Sequence, residues 1–192
     1  MEARNLQYWT YRDYCNLNDD KRNEIINGMI SQQGMPASSV SHQHVLGELH
    51  FQIKRHLQNK PCRVYIAPLD VVLLDSNQEE DSADNIVQPD LIVLCDPSKV
   101  KNGRSCVGAP DLVVEILSPS SRRRDMIIKS ALYAKYGVQE YWIVDPDDMS
   151  ITVLQLKGSA YVIAFEVTED IPFNSSVLPG LELEFNQIFE II

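Results

Sequence analysis

A mixed α/β (α+β) fold, with a hairpin ahead of its first long helix, is what this chain of 192 residues predicts. Three patterns carry that prediction: apolar residues at helical spacing in two stretches, Val/Ile/Leu-rich runs of strand length between and after them, and turn residues punctuating both. Residues 8–22 read as a short polar lead-in, partly helical. In NEIINGMIS, Asn27-Gly28 between apolar residues is a two-residue hairpin signal. After MPASSVS, Val45, Leu46, Leu49, Ile53 and Leu57 keep the helical period and set an amphipathic helix over about residues 42–58. VYIAPLDVVLL, VQPDLIVLC and PDLVVEILS each read as one largely buried strand, with DSNQEEDSADN and DPSKVKNGRS as polar separators. Ser118-Pro119-Ser120-Ser121 ends the third run, and RRRDMIIKSALYAKY is helical up to Gly137, placed as a C′ residue. EYWIVD, ITVLQL and YVIAFEV add three more strands before Pro179-Gly180 and a short tail. With no repeat, low-complexity tract or dividing linker, residues 1–192 are expected to form one domain.

Hydrophobic residues make up 44% of the chain and charged ones 23%, a balance that argues against disorder. No apolar stretch approaches the roughly 18 residues of a membrane span, and MEARNLQYWTYRDY lacks the apolar core of a signal peptide. A soluble, unexported, cytoplasmic protein without a membrane partner is expected. Cys15, Cys62, Cys95 and Cys106 are scattered with no C-x-x-C pair, which fits neither a zinc ribbon nor a small disulfide framework. Free thiols in a reducing compartment are the expectation.

The net charge of -10 counts against a nucleic-acid partner only as a sum. Residues 64–96 hold eight acids and no Lys or Arg, residues 137–192 hold ten acids and one base, and the remainder holds 16 bases and nine acids. That partition predicts one basic face, low non-specific affinity for DNA and strong dependence on salt.

The chemistry is suggested by carboxylates in apolar surroundings. In PDLVVEILS, alternation puts Asp111, Val113, Glu115 and Leu117 on one face of the strand. A lone carboxylate buried there costs several kcal/mol unless it is paired or binds a metal, so Glu115 has a cation partner or faces a cleft. Asp111 is roughly 13 Å away along the strand at about 3.3 Å per residue, too far to share one ion; it reads as a strand-entry residue. Asp90, entering the apolar run LIVLC, could approach Glu115 from a neighbouring strand, and such oxygen ligands favour Mg²⁺ or Mn²⁺ over zinc.

On the following helix, Lys129 shares a stripe with Asp125, Tyr133 and Tyr136. Arg122, Arg123 and Arg124 stand at the helix start, where the macrodipole disfavours cations; contact with phosphate explains them, and so does an ordinary solvated turn. Glu24 reads equally as a site residue or a hairpin acceptor. Asp70, inside APLDVVLL, is a weaker candidate. His42 and His44 lack a third ligand and read as helix-cap or surface residues. Ser118, Ser120 and Ser121 have no nucleophile-elbow context and read as turn formers, and Tyr141, Trp142 and Asp145 as parts of a core strand.

QPDLIVLCDP followed by GAPDLVVEILSPSSRRRDMIIKSALYAKYGVQEYWIVDP resembles the Uma-type family of restriction endonucleases, in the PD-(D/E)XK nuclease superfamily. Weaker similarity in NEIINGMI, SHQHVLGEL and LPGLELEF extends the resemblance over nearly the whole chain. It implies a restriction-endonuclease-like mixed β-sheet flanked by helices, with metal-binding acids on two adjacent strands. Asp90 matches the first acid of the motif and Glu115 the second. The usual lysine two residues later is replaced by Leu117, and Lys129 looks like its migrated equivalent. Glu24 and His42 match further positions that recur in the family and are candidates to line the site.

The resemblance implies a Mg²⁺- or Mn²⁺-dependent endonuclease acting on DNA, with Asp90 and Glu115 on the metal, Lys129 at the water or the developing charge, and Arg122, Arg123 and Arg124 on the backbone. A 5′-phosphate product follows for most of the superfamily. Double-strand cutting takes two sites, which makes a homodimer plausible although no patch in the sequence demonstrates one. Because Leu117 stands where the motif lysine is expected, a non-catalytic module binding nucleic acid or protein is the alternative, and a hydrolase of another phosphoester is a third reading.

Overall fold

The computed structural model describes residues 7–17, 23–32, 39–171 and 174–190. Parts of the lead-in (18–22) and of MPASSVS (35–38) lie outside the described residues. The hairpin forms as expected: β1 (Asn23–Ile26) and β2 (Met29–Gln32) pair antiparallel, with Asn27 and Gly28 both at positive φ (50° and 71°) in the turn. The long helix α2 runs Val40–His56; Ser39 is its N-cap, accepting from the His42 N–H.

The first two apolar runs do not make one strand each. VYIAPLDVVLL divides into β3 (Arg63–Ile66) and β4 (Asp70–Leu73), and VQPDLIVLC into β5 (Asn85–Val87) and β6 (Leu91–Leu94). The breaks fall at Pro68, which follows a cis peptide, and at Gln88-Pro89-Asp90. A proline has no N–H to give a ladder, so each run leaves one sheet there and enters another. The two crossings lie side by side, the Ala67 N–H donating to the Asp90 carbonyl at 3.0 Å. Two short strands that the polar sequence KVKNGRS conceals, β7 (Val100–Lys101) and β8 (Ser105–Val107), complete the first sheet.

The mixed α/β architecture expected from the sequence is present, its mixed β-structure divided over two sheets. The first has the order β2-β1-β5-β4-β8-β7, with β4 and β8 parallel. The second has the order β12-β11-β10-β9-β6-β3, where β9 (Leu112–Ile116) and β10 (Glu140–Asp145) are parallel. The other pairings are antiparallel, including β11 (Ser150–Lys157) with β12 (Ala160–Val167).

Alternation in β9 sorts the core. Leu112, Val114 and Ile116 pack on Val45, Leu49 and Ile53 of α2 and on Phe185 and Ile188 of α4 (Phe185–Phe189). Val113 and Leu117 face the other way, toward Leu132 and Tyr133 of α3 (Ser130–Tyr136) and Val71, Leu73 and Val87 of the first sheet. Outside that sheet, Ile25, Val72 and Ile86 are covered by Trp9 and by Tyr11 and Tyr14 of α1 (Tyr11–Cys15). Gly137 ends α3 in the left-handed region at φ 84°, as its position suggested.

The expectation of four free thiols is corrected. Arg63 pairs with Leu94, so Cys62 and Cys95 face each other just beyond the ends of β3 and β6, with Cα atoms 3.9 Å apart, and they form a disulfide. Their separation of 33 residues in sequence hid a contact that only strand pairing creates. Cys15 and Cys106 remain free, and the thiol argument for a reducing compartment does not hold for the bonded pair. Among the described residues, no helix is long and apolar enough to cross a membrane.

Candidate active site

The candidate residues meet at the seam where β5 leaves the first sheet and β6 enters the second. Glu24 projects from β1, Asp90 stands at the crossing, Glu115 lies in β9, and Lys129 ends a π-helical segment (Arg124–Lys129) that continues into α3. Leu91 of β6 pairs with Val114 of β9, so the antiparallel register carries Asp90 opposite Glu115, the juxtaposition that two metal-binding acids require.

Lys129 is the hub. Its Nζ lies 2.8 Å from Glu115 Oε1, 2.9 Å from Glu24 Oε1 and 3.7 Å from Asp125 Oδ1. The Tyr133 hydroxyl donates to the same Glu115 oxygen at 2.7 Å, and the Gln88 N–H donates to Glu24 Oε1 at 2.9 Å. Leu117, where the motif lysine is expected, is buried in the core. The lysine that reaches Glu115 is Lys129, from the helical segment.

The burial pattern of the π-helical segment runs against the hydrophobic effect. Asp125 and Lys129 are 2% and 1% exposed, whereas Met126, Ile127 and Ile128 between them are 47%, 61% and 47% exposed. A segment placed for stability alone would bury the apolar residues; this one aims its charges inward. Tyr141 of β10 supports it, the buried hydroxyl donating to the Asp125 carbonyl at 3.0 Å. π-helical turns inside α-helices are frequent at functional sites.

Asp90 Oδ2 accepts from the Ile116 N–H at 2.8 Å and lies 3.2 Å from His42 Nε2. Ser39, not His42, is the cap, and His42, which its own neighbours in sequence placed at a cap or on the surface, is a partner of Asp90. With side chains 14% and 16% exposed, His42 and Asp90 form the solvent-facing side of an otherwise buried cluster.

The three arginines diverge. Arg122 bridges to Asp145 at 2.6 Å. Arg124 Nε lies 3.9 Å from Glu24 Oε2 and 3.8 Å from Asp125 Oδ1, and none of these three buried atoms has a hydrogen-bond partner among the described residues. Arg123 is exposed. Asp111 accepts from the Cys95 N–H, a structural role as expected, and Asp70 accepts from the Tyr14 hydroxyl and the Gln88 amide. His44 contacts the Gln187 carbonyl, away from the cluster.

Burial pushes the Glu115 carboxyl up, to about 8; Lys129 opposes this, and Asp125, Asp90 and Glu24 add to it. Burial raises Asp125 too, against Lys129, Ser121 and Arg124. Glu24 moves down despite its burial, because Lys129, the Gln88 N–H and Arg124 all favour its charged form. Burial disfavours the Lys129 ammonium, but Glu115, Glu24 and Asp125 together hold it protonated. Carboxylates outnumber cations in this cluster, so Glu115 is pushed toward its neutral form while Glu24 is held in its charged one.

Among the described residues no three His, Cys, Asp or Glu side chains form a ready cage for a metal ion. Mg²⁺ does not need one, since it is commonly held by one or two carboxylates together with water and phosphate oxygens. Asp90 and Glu115, with the unpartnered Glu24 Oε2 close by, fit that donor set.

The model of the Uma2 family, described as "Putative restriction endonuclease", matches residues 9–186. The fold is similar to the crystal structure of a "putative nuclease belonging to DUF820" from Anabaena variabilis, with a TM-score of 0.71 and 21% identity over 94% of this chain and 97% of the other. "Uncharacterized protein slr1290" of Synechocystis sp. is 28% identical over 132 residues, which is 68% of this chain and 64%, less than two thirds, of the relative's own length.

Proposed function

We propose, from the premise that this chain belongs to the Uma2 family, that it is a metal-dependent endonuclease hydrolysing DNA phosphodiester bonds, with Mg²⁺ or Mn²⁺ held by Asp90 and Glu115. The observation that carries this reading is the convergence of Asp90, Glu115 and a buried Lys129 at the seam of the two sheets, with Lys129 2.8 Å from Glu115. When bound, the metal would polarise the scissile phosphate and make a bound water acidic enough to attack.

The protein's own residues divide the remaining work. Asp90 is held by the Ile116 N–H and by His42, and Glu115 by Tyr133 and Lys129, so both carboxylates are oriented before substrate arrives. Lys129, kept protonated by its acidic neighbours, would stabilise charge on the attacked phosphate. Glu24 fixes Lys129 from the first sheet. The exposed Arg123 is the member of the arginine triplet best placed to meet the DNA backbone.

Supercoiled plasmid incubated with Mg²⁺ or Mn²⁺ is the test. Wild type should nick it, whereas Asp90→Asn and Glu115→Gln should lose about two or more orders of magnitude in rate, as removal of a group stabilising the transition state does. Equal rates in all three proteins would overturn the reading. Binding of DNA without cleavage by any of them would favour a non-catalytic nucleic-acid-binding module.

A further inference from the structure

Asp125 is a buried carboxylate whose Oδ1 accepts no hydrogen bond among the described residues. Leaving such an oxygen without a hydrogen bond is costly; its nearest cations, Lys129 Nζ at 3.7 Å and Arg124 Nε at 3.8 Å, both stop short of one, and the segment that holds it exposes three apolar side chains. Its position is defined by what surrounds Lys129. An ammonium has three donors; Lys129 lies at hydrogen-bond distance from Glu115 Oε1 (2.8 Å) and Glu24 Oε1 (2.9 Å), and Asp125 Oδ1 at 3.7 Å is the third acceptor, just out of reach.

A divalent cation on a carboxylate weakens that carboxylate's hold on an ammonium, because the two positive charges repel in a site with little water. Glu115 Oε1 is the oxygen Lys129 now holds, and Tyr133 donates to it as well, so Glu115 does not lose every donor if Lys129 leaves. The flexible four-carbon stem of a lysine accommodates a movement on the order of 1 Å. Asp125 is anchored for its part through its carbonyl, which the buried Tyr141 hydroxyl holds.

We propose that Asp125 is a positioning residue, which receives the Lys129 ammonium when the Glu115 carboxylate turns to a divalent cation and so keeps Lys129 charged and beside the site. This rests on the reading of Asp90 and Glu115 as metal ligands. Asp125 touches neither metal nor substrate; it removes a competitor from Glu115 and gives it a second partner besides Glu24.

Titration calorimetry with Mn²⁺ alone, on the full chain, tests this without any measure of cleavage. Asp125→Ala should weaken Mn²⁺ binding by about tenfold or more, the scale of one hydrogen bond to a charged group. Asp125→Glu should recover part of the loss. Lys129→Met should bind Mn²⁺ at least as tightly as wild type, and adding Asp125→Ala to it should change nothing further. Equal weakening by Asp125→Ala with and without Lys129 would overturn the proposal, since Asp125 would then act only through its charge on the metal. So would an affinity that Asp125→Ala leaves unchanged. If Lys129→Met melts out, Lys129→Gln takes its place in the cycle. Mn²⁺ binding that ignores Asp90→Asn and Glu115→Gln would instead remove the metal-ligand reading beneath it.

Discussion

Glu115 couples stability to pH through its carboxyl, which the fold raises to about 8 by burial, whereas an exposed glutamate titrates near 4.5. Between those values the folded state binds a proton that the unfolded chain has given up, so stability of the metal-free protein falls as pH rises from about 5 to about 8. Glu24 has the opposite sign: its pKa is lowered, and what it contributes is complete once pH exceeds the ordinary carboxylate value. Lys129 is raised, and its contribution persists until strongly alkaline pH. The window therefore belongs mainly to Glu115, with Asp125 adding in the same direction. Urea denaturation in EDTA should show stability declining across it at up to about 1.4 kcal/mol per pH unit. Glu115→Gln, which stays neutral and can still accept from Lys129 and Tyr133, should flatten most of that slope; identical slopes would refute the assignment. Glu115 was legible in the sequence as a charge inside an apolar strand, and Lys129 as a cation on a stripe with Asp125 and Tyr133. Local sequence alone gives His42 a cap or surface role, because its partner Asp90 is 48 residues away and neighbouring residues describe caps, not cross-chain contacts; only the family resemblance offers it as a residue lining the site. The reach of Asp125 toward Lys129 depends on a π-helical turn that no residue in RRRDMIIK announces.

At the scale of elements, the hairpin, both helices and β9 to β12 follow from periodicity and turn residues, because each is a local pattern with one dominant solution. The two long apolar runs misled, although Pro68 and Pro89 lay within them; hydrophobicity marks burial but not the sheet in which a segment is buried. The seam that these prolines create is what brings Glu24 of the first sheet to Lys129 and Asp90 to Glu115. The disulfide fastens this region, joining the chain before β3 to the end of β6, the strand that Asp90 opens. Closing a loop of 33 residues restricts the unfolded chain by about 3–4 kcal/mol in the loop-entropy account. Reduction, or the Cys62→Ser/Cys95→Ser pair, should lower unfolding free energy by about 2–4 kcal/mol. Thiol titration of the denatured, unreduced chain should find Cys15 and Cys106 alone reactive. Four reactive thiols would show that the bond does not form.

For the whole molecule, the charge of -10 is no uniform repulsion toward a polyanion. Part of the acidic excess is consumed internally: Glu24, Glu115, Asp125 and Asp145 are buried against Lys129, Arg124 and Arg122. The cost falls on the cations as well, since Arg122 is held by Asp145 and Arg124 is turned toward Glu24 and Asp125. Arg123 is exposed and alone of the triplet enters no ion pair among the described residues, so it should carry the triplet's electrostatic contact with DNA. Each phosphate neutralised contributes about 0.9 to the slope of log affinity against log salt on duplex DNA. Because two of the three arginines are engaged internally, fluorescence anisotropy with a short duplex in EDTA should give a shallower slope for wild type than the strong salt dependence that the charge partition alone predicts, reduced by about 0.9 in Arg123→Ala and by less in Arg122→Ala. Arg124→Ala should leave the slope nearly unchanged while altering the carboxylate cluster it faces. A larger loss for Arg122→Ala than for Arg123→Ala would mean that the Asp145 bridge opens on binding and that the DNA-facing side of this helix is set by Arg122 instead.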